Sequence, residues 1–344
     1  MISFASDYIQ GAHPQVLERL IETNMEQLSG YGTDKYTESA KEKIRQVCNR
    51  PNAGVYFLAG GTQTNMIVID SLLLPHEGVI SPMSGHINCH ESGAVESTGH
   101  KILPIKSIDG KISAEEVDKF TSAFYSDENY EHMVSPGLVY ISHPTEYGTL
   151  YTKAELGALR DVCKKYNMKL FIDGARLGYG LAGDGTDVTL ETICDCCDVF
   201  YIGGTKMGAL CGEAVVFPKG DMPKHYLTIA KRHGALLAKG RLLGVQFDAL
   251  FTDNLYFQIG KHAMNMAHKM KQVFIDNGFE FYNNSPTNQI FVILENNLME
   301  KLKEYVVFSF WEKYDDNHTV VRFATSFGTT ENEIEQLNSI LKTL

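Results

Sequence analysis

Short apolar runs alternate with longer amphipathic segments between about residue 54 and about residue 220. Two of the longer segments, Ser113–Phe124 and Lys153–Tyr166, predict helices. In the second, Leu156, Leu159 and Val162 recur at helical spacing, as expected for a helix that packs on a sheet. The alternation predicts an α/β fold whose mostly parallel sheet is covered by helices on both faces. The apolar runs that predict its strands are Val55–Ala59, Val79–Ser81, Ile102–Ile105, Leu138–Ser142, Leu170–Asp173, Val199–Ile202 and Ala214–Phe217.

The pattern changes after Gly220. One long helical pattern runs from Gly244 to Asn277, and shorter apolar runs follow it. This change indicates a smaller α+β domain with an antiparallel sheet. We therefore predict a large domain over residues 1–245, which includes an N-terminal arm, and a small C-terminal domain over residues 246–344. The other predicted elements are strands at Gln289–Leu294, Val306–Trp311 and Val320–Thr325, a closing helix at Glu331–Leu341 and an N-terminal helix around Gln15–Asn24.

Charge and composition narrow the possible partners. The 344 residues carry a formal net charge of −11, which disfavours binding to nucleic acids or anionic membranes but allows local binding of one phosphate. No stretch reaches the roughly 20 uninterrupted apolar residues of a membrane-spanning helix. Residues 1–14 do not resemble a signal peptide. The seven cysteines, an odd number, predict reduced thiols and a cytoplasmic location.

Three of the cysteines lie together at Cys194, Cys196 and Cys197. Zinc sites usually space paired cysteines by two or more residues and need further ligands. Because this cluster directly precedes the predicted strand Val199–Ile202, we expect buried structural thiols and no metal site.

Candidate chemistry begins where two predicted strands end. The sequence FIDGAR places Asp173 at the end of one strand, with Arg176 three residues later, and the sequence YIGGTK follows another strand with Lys206. Ligands bind at the carboxyl ends of strands in parallel sheets. Taken singly, Asp173 and Lys206 have ordinary interpretations, as a helix cap and a surface lysine. Together they supply what pyridoxal phosphate requires, which is a lysine for its aldehyde and an acid for its pyridinium nitrogen.

A glycine pair between the strand Val55–Ala59 and an apolar helix is a candidate phosphate site. The sequence there is GGTQTN, which contains Gly61 and Thr62. Glycines let the backbone approach closely, the helix N-terminus presents free N–H groups to an anion, and Thr62 adds a hydroxyl. Such a pair is usually only a tight turn, but its position upstream of Asp173 and Lys206 favours a phosphate loop.

These motifs resemble those of the threonine aldolase and β-eliminating lyase family of fold-type I pyridoxal-phosphate enzymes. The resemblance extends over most of the chain, and the motifs occur along it in the same order as in the family. The resemblance implies an aspartate-aminotransferase-like large domain and pyridoxal 5′-phosphate as cofactor. It assigns Gly61 and Thr62 to the phosphate cup and Asp173 to the pyridine nitrogen. It also implies that Lys206 carries the cofactor as a Schiff base, and that Arg176 of the D-G-A-R motif contacts cofactor and substrate.

Three further positions take their roles from the same resemblance. His86, which follows the predicted strand Val79–Ser81, corresponds to the histidine that stacks on the pyridine ring. Ser6 resembles the serine of the family's opening S-D pair, and Arg322 resembles the arginine of a late V-R pair. Both would hold the substrate carboxylate, for which a guanidinium fork is well suited.

The resemblance also bears on assembly. In the family the active site lies at a dimer interface, and tetramers are common. A homodimer or homotetramer with its active site at the subunit interface is therefore expected, and Lys239 or Arg241 is a candidate to reach the phosphate of a neighbouring subunit.

One position departs from the well-studied aldolases of the family. Where those have a histidine that touches the β-hydroxyl of the substrate, this chain has Glu146, in the sequence HPTEYG. A carboxylate could accept the hydroxyl proton, or it could indicate another substrate side chain. The candidate bases are therefore Glu146, His86 and a water that they hold.

The expected reaction is the retro-aldol cleavage of an L-β-hydroxy amino acid, such as L-threonine or L-allo-threonine, to glycine and an aldehyde. The cofactor also permits β-elimination, transamination and racemisation, because the bond perpendicular to its ring is the one that breaks. The sequence does not fix that orientation. An aminotransferase, a β-eliminating lyase for another amino acid and a catalytically quiet cofactor-binding protein therefore stay open as alternatives.

Overall fold

The computed structural model describes residues 1–344 and contains 13 strands and 13 α-helices. The strands are β1 (Ile2–Ser3), β2 (Gly54–Leu58), β3 (Glu77–Pro82), β4 (Ile102–Ile105), β5 (Ser135–Ser142), β6 (Lys169–Asp173), β7 (Val199–Gly203), β8 (Glu213–Phe217), β9 (Glu280–Phe281), β10 (Gln289–Glu295), β11 (Val306–Val307), β12 (Ser309–Lys313) and β13 (His318–Ala324). The helices are α1 (Pro14–Thr23), α2 (Lys35–Val47), α3 (Gly61–Leu72), α4 (His86–Cys89), α5 (Ala114–Ser126), α6 (Lys153–Lys165), α7 (Leu177–Leu181), α8 (Leu190–Cys196), α9 (Tyr226–Arg232), α10 (Arg241–Leu250), α11 (Leu255–Asp276), α12 (Asn296–Leu302) and α13 (Glu331–Leu341).

Seven strands form the central sheet, in the order β2-β8-β7-β6-β5-β3-β4. The pairs from β7 to β4 are parallel, and β8 runs antiparallel to both β7 and β2. Alternate residues of β6 enter two different apolar cores, Leu170 and Ile172 on one face and Phe171 on the other. Both faces of the sheet are therefore covered, and the predicted α/β fold with a mostly parallel sheet is confirmed.

A second, four-stranded sheet has the order β12-β13-β10-β9 and is antiparallel throughout. Its apolar side packs on α11 and α13 around Val292, Phe323 and Leu337. The prediction of one strand over Val306–Trp311 is wrong, because this segment forms two strands. Val306–Val307 pairs in parallel with β1 of the N-terminal arm, and Ser309–Lys313 joins the antiparallel sheet.

The predicted single helix from Gly244 to Asn277 is also wrong, because the chain forms α10 and α11 with a break between them. Asp253 and Asn254 adopt positive φ angles of 49° and 58°, which interrupt the helix, and these residue types tolerate that conformation. Residues of α11 enter two cores, with Ile259 beside the large sheet and Met266 beside the small one. The division at residues 245 and 246 stays a prediction.

The N-terminal arm joins the two sheets. Phe4 is buried in the core of the small sheet, and its backbone bonds to Val307 and Ala324, with N···O distances of 2.8 Å each. Three residues later, Asp7 forms an ion pair with Arg176, which follows strand β6 of the large sheet.

Cys194, Cys196 and Cys197 are buried free thiols. None of the helices is long and apolar enough to cross a membrane.

Candidate active site

A cavity of about 310 Å³ lies at the carboxyl ends of the parallel strands. Seven of the nine residues that the sequence singles out line it, and they come from five separate segments of the chain. They are Gly61, Thr62, His86, Glu146, Asp173, Arg176 and Lys206. The fold therefore brings these seven predicted site residues together around one cavity. Ser6 and Arg322 lie outside this cavity wall.

Two glycines bring the strand ends that carry Asp173 and Lys206 into close backbone contact. A Cβ added to Gly174 would lie 1.9 Å from the carbonyl oxygen of Tyr201, and one added to Gly203 would lie 2.3 Å from that of Ala175. The N–H of Gly203 also donates to the oxygen of Gly174, with an N···O distance of 3.0 Å. Only glycine fits these two positions, which explains their occurrence in the FIDGAR and YIGGTK sequences.

Asp173 is a buried carboxylate with four hydrogen-bond donors. Oδ1 accepts from the Tyr201 hydroxyl at 2.5 Å and from the N–H of Ala175 at 2.9 Å. Oδ2 accepts from the Tyr140 hydroxyl at 2.7 Å and from Asn65 Nδ2 at 3.0 Å. Burial alone would raise the pKa of Asp173, but the positive charge of His86 and these hydrogen bonds outweigh it and lower the pKa. Asp173 is therefore ionised at neutral pH.

Lys206 lies in a short 3₁₀ turn, Thr205–Met207, with its Nζ making no hydrogen bond or ion pair within the chain. Burial lowers the pKa of Lys206, and the positive charge of Arg176 lowers it further. A lysine with a lowered pKa has a larger share of the nucleophilic amine form at neutral pH. Lys206 thus has the properties of a group that forms an imine with an aldehyde.

Glu213 holds the turn that carries Lys206, and the sequence patterns did not identify it. Its two carboxyl oxygens accept from the N–H of Gly204 at 3.1 Å and from the hydroxyl of Thr205 at 2.8 Å. Burial raises the pKa of Glu213 to about 8, despite the hydrogen bond from Thr205 and the positive charge of Lys206. Glu213 therefore lines the cavity and stabilises the turn that positions Lys206.

The N-terminus of α3 opens into the same cavity. The helix begins at Gly61, and its N-cap residue Gly60 makes no side-chain capping bond, so that end is left open to an anion. A Cβ on Gly61 would lie 3.2 Å from the Tyr201 hydroxyl, so a larger residue would crowd the cavity wall. Gly61 and Thr62 therefore occupy the position that the sequence predicts for a phosphate loop.

His86 and Glu146 lie next to each other in the cavity wall. Oε1 of Glu146 accepts from the backbone N–H of His86 at 3.0 Å and from the Ser142 hydroxyl at 2.7 Å, whereas Oε2 has no partner. Burial raises the pKa of Glu146. Burial would lower the pKa of His86, but the hydrogen bond to Glu91 and the charge of Asp173 outweigh it and raise the pKa. Two groups that can take a proton therefore share one wall.

The three residues predicted to hold a substrate carboxylate have different surroundings. Arg176 lines the cavity and pairs with Asp7 of the N-terminal arm. The Ser6 hydroxyl is buried without a partner. Arg322 donates to Gln289 Oε1 at 3.1 Å and to a backbone oxygen, while its Nε is buried and unpartnered. Burial and the charge of Arg176 lower the pKa of Arg322 to about 10.

The residues present fit pyridoxal phosphate. The cavity offers an unpaired lysine for the aldehyde, an ionised aspartate for the pyridinium nitrogen and an uncapped helix N-terminus for the phosphate. When bound, the cofactor supplies an electron sink for charge that develops on the substrate Cα. The site and the α/β fold together define a fold-type I pyridoxal-phosphate enzyme.

Comparisons with known proteins agree with this class. The family described as "Beta-eliminating lyase" matches residues 3–297. The solved structure of a Leishmania major threonine aldolase is 40% identical with a TM-score of 0.95, covering 100% of this chain and 99% of that one. A low specificity L-threonine aldolase of Pseudomonas sp. (strain NCIMB 10558) is 27% identical over 338 residues, which are 97% of this chain and 95% of the relative.

The chain therefore belongs to the beta-eliminating lyase family, whose members are pyridoxal-phosphate-dependent lyases, and the resemblance inferred from the motifs is confirmed. A Thermus thermophilus aspartate aminotransferase double mutant, 12% identical with a TM-score of 0.70, covers 100% of this chain and 92% of that one. At this identity the likeness concerns the fold alone, and it confirms the predicted aspartate-aminotransferase-like architecture.

Proposed function

We propose that this protein cleaves L-β-hydroxy amino acids, L-threonine and L-allo-threonine among them, to glycine and an aldehyde. The observation that carries the proposal is the wall formed by Glu146 and His86, which faces the same cavity as Lys206 and Asp173. A retro-aldol cleavage requires a base at the β-hydroxyl, and this wall supplies two candidates. The threonine aldolases among its relatives support the same reaction.

We assign a separate role in cofactor binding to each of these residues. Lys206 would hold the cofactor covalently through its Nζ. Asp173 would keep the pyridine nitrogen protonated, and Gly61 and Thr62 would bind the phosphate. His86 would stack on the ring, and Arg176 would contact the cofactor as well as the substrate. These roles rest on the arrangement of the cavity and on the family's motifs.

The chemical step needs one proton to leave and one to return. Glu146, His86 or a water that they hold takes the β-hydroxyl proton, the aldehyde C=O forms, and the Cα–Cβ bond breaks with its electron pair left on Cα. A proton then returns to Cα, which yields glycine. Ser6, Arg176 and Arg322 hold the substrate carboxylate; the unpartnered Ser6 hydroxyl and Arg322 Nε support this role.

An aminotransferase is not favoured, because the aminotransferases resemble this chain in fold alone. In the deciding experiment, the purified protein is loaded with pyridoxal phosphate and incubated with L-threonine, L-allo-threonine or L-serine. The amounts of glycine and aldehyde are then measured. We expect equal amounts of both without any keto acid, and none from a Lys206→Ala control. Formation of 2-oxobutyrate and ammonia would indicate β-elimination instead, and amino-group transfer that depends on a keto acid would indicate an aminotransferase.

We further propose a cytoplasmic homodimer or homotetramer with the active site at the subunit interface. Three exposed apolar side chains lie on the surface near the N-terminal arm: Tyr8, which also lines the cavity, Ile9 and Leu210. Their exposure supports a partner subunit that covers them.

Arg241 already donates to the carbonyl oxygens of Glu26 and Thr23, so the exposed Lys239 is the better candidate to reach a neighbour's phosphate. The seven free cysteines support the location. Analytical ultracentrifugation of the parent protein and a Leu210→Glu variant tests the assembly.

A further inference from the structure

Glu91 is a buried carboxylate directly behind His86. Its side chain is fully buried and forms no ion pair with lysine or arginine. Oε1 lies 2.7 Å from His86 Nδ1, and Oε2 has no partner. Glutamate is rarely buried in this way, and a buried unpartnered oxygen requires an explanation.

Asn65 fixes this carboxylate from the other side. Its Nδ2 donates to Glu91 Oε1 at 2.8 Å and to Asp173 Oδ2 at 3.0 Å. One buried amide therefore bridges the carboxylate behind His86 and the carboxylate at the cavity floor. Because Asn65 lies on the first turns of α3, the bridge also ties both groups to the helix at the phosphate site.

The contact with Glu91 decides which nitrogen of His86 carries hydrogen. Glu91 Oε1 accepts from the amide nitrogen of Asn65, which can only donate, so we take the same oxygen to accept from His86 Nδ1. The other ring nitrogen, Nε2, has no partner within the chain, and His86 lines the cavity. In the neutral ring, Nε2 is then the lone-pair nitrogen.

We propose that Glu91 is a positioning residue that holds His86 with its Nδ1–H towards Glu91 and its Nε2 as the atom that exchanges protons in the cavity. The inference rests on the proposed function only for the identity of the group that Nε2 meets. Carboxylate–histidine pairs of this kind fix the tautomer and raise the basicity of the ring. Glu91 acts through His86 and does not touch the reacting atoms.

Other charges also face His86 and contribute to its proton affinity. His90 and Glu91 belong to the same segment of the chain as His86. The ring centroids of His86 and His90 are 5.6 Å apart. Asp173 comes from the end of β6, Lys206 from its turn, and Glu146 from the loop after β5. Glu91 is the only one of these acids whose carboxylate contacts the ring directly.

The test is histidine imidazole NMR on the full chain loaded with pyridoxal phosphate, with the His86 signals assigned by their loss in His86→Asn. In the parent protein at high pH, we expect Nδ1 to be protonated and Nε2 to be bare, which is the opposite of the tautomer that free histidine prefers. In Glu91→Gln, the pKa of His86 should fall by at least about one unit, because an adjacent negative charge is lost. Glu96→Gln, an exposed glutamate five residues later, is the matched control and should leave the pKa unchanged.

Two outcomes would overturn the inference. A parent protein whose His86 carries its hydrogen on Nε2 would contradict it without any variant, even if Glu91→Gln failed to fold. A folded Glu91→Gln variant with an unchanged His86 pKa and tautomer would show that Glu91 serves packing only. The tautomer and the pKa of His86 are both measured without turnover, whereas glycine release measures the proposed cleavage reaction. A failure of this inference is therefore distinguishable from a failure of the proposed function.

Discussion

Arg176 and Asp7 form a two-point ion pair across 169 positions of sequence, with Nε–Oδ2 at 2.7 Å and Nη2–Oδ1 at 3.0 Å. Asp7 belongs to the N-terminal arm and Arg176 to the cavity wall, so the pair fixes the arm against the site. Asn288 Nδ2 adds a third donor to Asp7 at 2.9 Å. Burial alone would raise the pKa of Asp7, but the charges of Arg176 and Lys206 and the hydrogen bonds outweigh it and lower the pKa to about 2.

We predict that Asp7→Asn destabilises the protein by about 3–5 kcal/mol, because it leaves the buried guanidinium of Arg176 without its counter-charge. Chemical denaturation of the parent and the variant measures this difference. Glu22→Gln, which breaks the exposed pair between Glu22 and Arg19, is the control and should cost less than about 1 kcal/mol. Equal effects of the two substitutions would contradict a special role for the buried pair.

The same pair predicts a pH dependence. The pKa of Asp7 is lower in the folded protein than its ordinary value of 3.8. The ion pair therefore contributes its full stability above about pH 4, and the contribution is lost as the pH falls towards about 2. The difference in unfolding free energy between parent and Asp7→Asn should thus shrink on acidification. A difference that stays constant down to the acid limit would mean that the charge of Asp7 is not its cause.

For Asp173, we predict that Asp173→Asn retains some cofactor but loses most activity, because a neutral amide cannot hold the pyridinium proton. A charge-assisted hydrogen bond worth about 3 kcal/mol corresponds to a loss of roughly 100-fold in rate. Cofactor absorbance and glycine release on the same sample separate the two effects. Near-normal turnover in this variant would remove the role assigned to Asp173.

For Glu146, we predict that Glu146→Gln keeps the cofactor but slows retro-aldol cleavage by about 10²–10⁴-fold, the usual contribution of a general base. Because burial raises the pKa of Glu146, activity of the parent should fall on the acidic side as this carboxylate becomes protonated, and the variant should lack that limb. Rates across pH with L-threonine test both statements.

Proton exchange at Cα of glycine is the internal control for this variant, since glycine has no hydroxyl to deprotonate. Exchange should be affected far less than cleavage. Equal losses in the two reactions would point to a binding role or general damage. No loss in either would leave His86 or a water as the base.

Much of the fold follows from the pattern of apolar residues. The predicted strand Ile102–Ile105 and the predicted helix Glu331–Leu341 coincide with β4 and α13. The direction of β8 does not follow, because a fully buried strand is apolar whichever way it runs. The break before α11 was missed because Asp253 and Asn254 are polar residues that a helix surface also accepts.

The cavity residues are predictable where a motif carries chemistry at a strand end, as with Asp173 and Lys206. Their supporting partners Asn65, Glu91 and Glu213 are not, because their roles come from contacts between segments far apart in sequence. The one available signal for Asn65 was a polar residue beside the apolar run of α3, and a single polar residue has many explanations.

The central claim is that Lys206 binds pyridoxal phosphate in this cavity, and borohydride reduction tests it most directly. The purified protein should be yellow, and reduction followed by proteolysis and mass spectrometry should recover the cofactor on the peptide that contains Lys206. Lys206→Ala should give no labelled peptide. Label found on Lys169 or Lys239 instead, or on no lysine in a protein that releases glycine from L-threonine, would contradict the account.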